Sequence, residues 1–185
     1  LRPPPTTAAP SAGEFEAAYR ACGDGPVVGI FLAAAFSALH DIARLGAEPF
    51  GGRVTVVDSG SVSLGLGFQV LAAAEAVERG AEVPEVLAVV QSVQQRLRLI
   101  AALDTVEYLR RGGRANALTA GLSQLLQIKP LLEVTNGQVN SLARVRTRAK
   151  AREALVERVR ALAPLERLAV LHAAAPADAQ ALAER

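Results

Sequence analysis

Four segments between Val27 and Gly80 restrict the fold of this chain more than any other part of it. "VVGIFL" is an apolar run of strand length, and "AFSALHDIARLG" carries apolar residues at helical spacing up to Gly46, where a glycine is expected to end the helix. "RVTVVD" is a second buried strand, and "GLGFQVLAAAEAVERG" is a second helix closed by Gly80. Strand, helix, strand, helix in this order predicts a parallel sheet covered by helices, because parallel strands need a crossover connection.

The flanking segments add to this frame. "SAGE" has the Ser-x-x-Glu spacing of a capping box, which predicts a helix from Ala12 to about Ala21, ended by "GDGP". Before it, the stretch rich in Pro, Thr and Ala reads from composition as a flexible leader. Another helix is expected from Pro84 to about Arg98, then a strand in "LRLIAAL", then two helices separated by "GGR". "KPLLEVTNGQVNSLARV" reads as a hairpin, since Asn-Gly favours the positive φ angles of a tight turn. A helix over Arg148–Ala163, a strand "RLAVLHA" and a helix from Pro176 complete the chain. The fold class expected is α/β with two domains, a parallel-sheet domain over residues 1–95 and a mixed-sheet α+β domain over 96–185.

Composition narrows the function. The chain has 185 residues, enough for one large or two small domains, and it is 51% hydrophobic but only 4% aromatic, so its interior is built from Ala, Leu and Val. Arginines in "RAKAREALVERVRAL" alternate with Glu and Ala at helical spacing, as on a solvated helix face, and no basic patch interleaves with aromatics. Nucleic acid is therefore not an expected partner. One cysteine, Cys22, rules out an internal disulfide and fits a reducing cytosol, and two distant histidines give no metal-ligand spacing. No apolar run approaches the roughly 18 residues of a membrane span, and "LRPPPTTAAP" lacks a signal-peptide core. A chain that opens on Leu1 and contains no methionine reads as part of a longer one.

Several motifs invite chemistry. In "SLGLGF" the third glycine of a dinucleotide fingerprint would fall on Val70, so that reading fails, and "GSVSLG" lacks the spacing of a nucleophile elbow. "DSGSVS", Asp58 to Ser63, follows a parallel strand, where ligands of open α/β sheets collect, and equally reads as a turn capping the next helix. In "RRGGR" the glycines allow a sharp turn that aims Arg114, which favours an anion-binding reading, while Arg110 and Arg111 fit a solvated helix end. His172, at the end of an apolar run, reads alone as a packed histidine more than a functional one.

Taken together, "VTVVDSGSVSLGLGF", "DTVEYLRRGGR", "LLQIKPLLEVTNGQV" and "RVRTRAKA" resemble the DegV family of bacterial fatty-acid-binding proteins, from about Thr6 to Arg185. Members of that family are longer, with a strand–helix unit before the Pro-Thr loop and further strands after the last helix. Both domains are thus expected to be incomplete here. The resemblance implies a cytoplasmic, non-catalytic subunit that holds one long-chain fatty acid between two domains. It also implies a partner, an ATP-dependent fatty-acid kinase protein that phosphorylates the carboxylate to an acyl phosphate in bacterial phospholipid metabolism. No cofactor, no metal, no stable membrane insertion and no catalytic residue in this chain are implied.

The family motifs carry over residue by residue. Thr7, in "TTAAPS", matches the threonine that bonds the ligand carboxylate, although Ala8 and Ala9 stand where the family has serine and glutamine. The family's Ser-Ser-x-x-Ser-Gly-Thr stretch is "AAAFSAL" here: Ala33 and Ala34 replace the serine pair, and Ser37 remains as a carboxylate contact. Arg114, Arg146 and His172 take positions associated with phosphoryl transfer. Leu118, Leu122, Leu125 and Leu126, on the helix after "GGR", are expected to line the acyl tunnel. Two rival readings are kept: an enzyme or sensor of the same fold that binds another small anion, and a purely structural α/β domain.

Overall fold

The computed structural model describes residues 7–114 and 128–185. Its first part alternates helices and strands: α1 (Ala12–Ala21), β1 (Val27–Phe31), α2 (Leu39–Ala47), β2 (Val54–Asp58), α3 (Ser63–Glu78) and α4 (Val83–Arg96). β1 and β2 pair in parallel, with Val27 opposite Val54 and Phe31 opposite Asp58. The second part contains β3 (Leu99–Ala102), a short α5 (Glu107–Arg111), the hairpin β4 (Lys129–Thr135) and β5 (Gln138–Val145), α6 (Arg148–Ala161) and α7 (Pro176–Ala183). β3, β4 and β5 form an antiparallel sheet in that order. The expected α/β class, with a parallel sheet first and a separate sheet after it, is the observed one.

Local chemistry explains why these elements form where they do. Ser11 caps α1 as its spacing predicts: the Ser11 amide donates to Glu14 Oε2 at 2.8 Å and the Glu14 amide to Ser11 Oγ at 3.3 Å. The β4–β5 turn uses Asn136 at φ 50 and Gly137 at φ 73, the left-handed pair that suits the twist of a two-residue hairpin. The parallel sheet is covered on both faces. Ala73, Ala76, Val86 and Val90 of α3 and α4 pack with Val28, Ile30 and Val57. Tyr19, Ala47 and Val54 pack with Phe15, Phe31 and Phe50, which gathers much of the scarce aromatic content into one cluster.

Two sequence expectations are corrected. Gly46 does not end α2; it lies inside that helix, where an added Cβ would come within 2.7 Å of Ala12 O and Phe15 Cβ. The glycine is needed for close approach of α1 to α2, and the helix stops after Ala47. The segment "RLAVLHA" forms no strand. A strand exists only where a second one supplies its hydrogen bonds, and among the described residues none pairs with it.

Candidate functional site

The ends of β1 and β2 are tied together by their own loops. The Ser59 amide donates to Phe31 O at 3.0 Å and the Ala33 amide to Ser61 O at 2.8 Å. Asp58 turns the chain by accepting the Gly60 amide at 2.8 Å. Ser59 and Ser61 are buried, and the Ser61 amide donates to Ser59 Oγ at 3.2 Å. Gln69, fully buried on α3, donates to Ser59 O at 2.9 Å and Gly65 O at 3.2 Å, while Gln94 of α4 donates to Asp58 O at 3.3 Å. The turn expected in "DSGSVS" forms at Asp58, but it does not cap the next helix: α3 has Val62 at its N-cap with no side-chain capping bond, and Ser63, at φ 55, opens the helix.

Ser37 lies in the loop after β1, half-buried, with its hydroxyl oxygen accepting the Leu39 amide at 3.2 Å. The hydroxyl hydrogen remains to donate to an anion. Ala33 is wholly buried and its amide is taken by Ser61, so this position offers no donor to a ligand. The β4–β5 turn comes down on both loops. The Gly137 amide donates to Gly60 O at 2.6 Å, and an added Cβ on Gly137 would lie 3.5 Å from Ala35 Cβ. The loops after β1 and β2 and the hairpin turn therefore meet at Gly60 and Ala35, two residues before Ser37.

The other expected residues are placed elsewhere. Thr7 is exposed on the approach to α1. Arg146 follows β5 at the end of the hairpin away from the Asn136–Gly137 turn. A seven-residue strand separates the two ends of the hairpin by about 20 Å. Around that far end Asp104 accepts from Arg148 Nε at 3.1 Å and from Lys129 at 2.7 Å, and these bonds, Arg148's above all, hold its carboxyl pKa down to about 2. Among the described residues Arg146 has no ion-pair partner. Arg114 is exposed past α5 and donates to Gly112 O at 2.5 Å. His172 is exposed, with its Nδ1 accepting the Ala175 amide at 3.2 Å in the turn that leads into α7. Leu118, Leu122, Leu125 and Leu126 lie outside the described residues.

A cavity of about 1240 Å³ opens between α3, α4, β3, α6 and the stretch Pro164–Leu171. Its lining includes Leu64, Phe68, Val93, Leu97, Leu155 and Val159, and none of Thr7, Ser37, Arg114, Arg146 or His172 borders it. Sequence reasoning missed the loop–hairpin contact and the role of Gln69. A glutamine inside the otherwise apolar "GFQVLAAA" was the one available sign of a buried polar anchor.

A parallel α/β unit whose strand-end loops are roofed by the hairpin of a second, antiparallel sheet defines a class of two-sheet α/β protein. The chain belongs to the DegV family: the family model described as DegV, an uncharacterised protein family, matches residues 2–185. A DegV domain-containing protein of Deinococcus radiodurans is 42% identical over 158 residues, 84% of this chain and 56% of the relative. This chain thus spans little more than half of that relative's length. A DegV family protein from Thermus thermophilus, whose structure is described as fatty-acid binding, is 37% identical with a TM-score of 0.79, covering 86% of this chain and 58% of that one. A DegV lipid-binding protein from Thermotoga maritima is 27% identical with a TM-score of 0.81, covering 100% of this chain and 66% of that one. No helix among the described residues is long and apolar enough to cross a membrane.

Proposed function

We propose that this chain is a cytoplasmic carrier that binds a long-chain fatty acid between two domains, residues 1–95 and 96–185. It presents the carboxylate to an ATP-dependent fatty-acid kinase protein and performs no chemistry alone. The observation that carries this reading is the likeness, at 37% identity, to the fatty-acid-binding Thermus protein. The meeting of the hairpin turn with the loop that carries Ser37, whose hydroxyl hydrogen is free to donate, is consistent with it. On this reading Thr7 and Ser37 hold the carboxylate, and Leu118, Leu122, Leu125 and Leu126 contribute to the acyl tunnel. Arg114, Arg146 and His172 support phosphoryl transfer. Arg146, at the end of the hairpin away from its turn, is assigned on this reading to the phosphate-bearing partner. The rival reading, another small anion in the same cleft, draws on Ala33, which is buried and supplies no side-chain donor.

Thr7→Val keeps the shape of the side chain and removes its hydroxyl. Affinity for oleate, followed by fluorescence displacement, is expected to fall about tenfold to a hundredfold, the scale of a lost hydrogen bond to a charged group. Unchanged affinity in a folded variant means that Thr7 belongs to a leader and not to the site.

A further inference from the structure

We propose that Gly60 is a positioning residue: it clasps the β4–β5 turn onto the loops after β1 and β2 and so sets the position of the loop that carries Ser37. This inference rests on the fatty-acid reading for its ligand. The clasp is visible in the contacts. Gly60 O accepts the Gly137 amide at 2.6 Å, the one direct backbone hydrogen bond between the hairpin turn and the parallel-sheet loops among the described residues. On the other side of the turn, Gly137 faces Ala35, two residues before Ser37. The loop bearing Gly60 is itself fixed from below, by Asp58 through the Gly60 amide, by Gln69 through Ser59 O and by Gln94 through Asp58 O. The Ala33 amide on Ser61 O ties in the loop that carries Ser37.

Gly60 is required here for two separate reasons. Its φ of 58 lies in the left-handed region that favours glycine. An added Cβ would also stand 2.8 Å from Gln94 Nε2, 3.0 Å from Asn136 Cα and 3.3 Å from Asn136 C. Gln94 can swing its amide aside, but Asn136 contributes backbone, so the hairpin turn must retreat. Gly51 separates the two effects, because it has nearly the same φ, 56, and no atom within 4 Å of an added Cβ. Gly51→Ala carries the backbone strain alone, whereas Gly60→Ala carries the strain and the displacement.

The test compares the intact wild-type protein, Gly60→Ala and Gly51→Ala by two measurements, the exchange rate of the Gly137 amide and the affinity for oleate. Gly60→Ala is expected to speed Gly137 exchange severalfold and to weaken oleate binding about tenfold, as when a hydrogen bond to a charged group is pulled out of range. Gly51→Ala is expected to change neither, even where it lowers stability to a similar degree. Gln94→Ala removes the donor to Asp58 O and inserts nothing, so it should shift both readouts in the same direction by less, and it decides the matter if Gly60→Ala fails to fold. Equal exchange in the two glycine variants overturns the clasp, and faster exchange with unchanged affinity overturns its role in positioning the site. A wild-type protein that takes up no oleate overturns the fatty-acid reading and the ligand half of this proposal, while Gly137 exchange still tells whether the clasp forms.

Discussion

If the chain serves the proposed kinase, Arg114→Ala is expected to retain most fatty-acid affinity and to lose acyl-phosphate formation, in the presence of ATP and that proposed partner, by about a hundredfold or more. Arg114 is exposed at the end of α5, where its guanidinium rests on Gly112 O and Gly113, at φ 74, lets the chain turn. A side chain so placed contributes little to holding an apolar ligand. In the proposed reaction, charge builds on the transferring phosphoryl group only during transfer, and a positioned arginine acts mainly on that state. Arg114→Lys should recover little, because an ammonium keeps the charge and lacks the forked donors. Affinity and transfer rate measured for the three proteins check this. Normal transfer in the alanine variant makes Arg114 a surface residue, and equal losses in binding and transfer make it a carboxylate ligand.

Gly65→Ala is expected to lower stability, and Ser61→Ala is expected to restore it. An added Cβ on Gly65 would lie 2.1 Å from Ser61 Oγ, 3.2 Å from Ser61 Cβ and 3.1 Å from Leu97 Cδ2. Overpacking of this kind costs roughly 1–3 kcal/mol. The better helix propensity of alanine offsets less than about 1 kcal/mol of it in the first turn of α3. Among the described residues the buried Ser61 Oγ has no hydrogen-bond partner, so Ser61→Ala alone should be close to neutral or slightly stabilising. In the double variant the shortest clash disappears and most of the loss should be recovered. Urea midpoints for the wild type, both single variants and the double variant test the coupling. A double variant no more stable than Gly65→Ala contradicts the packing described.

The elements that sequence reasoning located well are those fixed by local chemistry. The Ser11–Glu14 box, the apolar strands β1 and β2 and the Asn136–Gly137 turn each carry their signal within a few residues. Gly46 misled because a glycine late in a helix looks the same whether it ends the helix or admits a neighbour, and only the position of Ala12 and Phe15 decides between them. "RLAVLHA" has the composition of a strand, but a strand is a relation between two segments, and sequence names only one of them. The placing of the candidate residues was legible in part for the same reason. The loop after β2 was placed by its strand, whereas Ser37, read within a helical segment, lies before α2, and the contact of Gly60 with Gly137 joins residues far apart in the chain. Arg146 could be matched to a motif, but its place at the end of the hairpin away from the turn follows from the length and register of β4 and β5.

Native mass spectrometry of the intact protein purified from bacteria, followed by lipid extraction, tests the central claim most directly. Each buried CH₂ of an alkyl chain contributes about 0.8 kcal/mol, so a long-chain fatty acid should survive purification. The expected result is a mass excess of one fatty acid per chain and recovery of that acid in the extract. Protein that arrives lipid-free and takes up no added oleate would contradict the account.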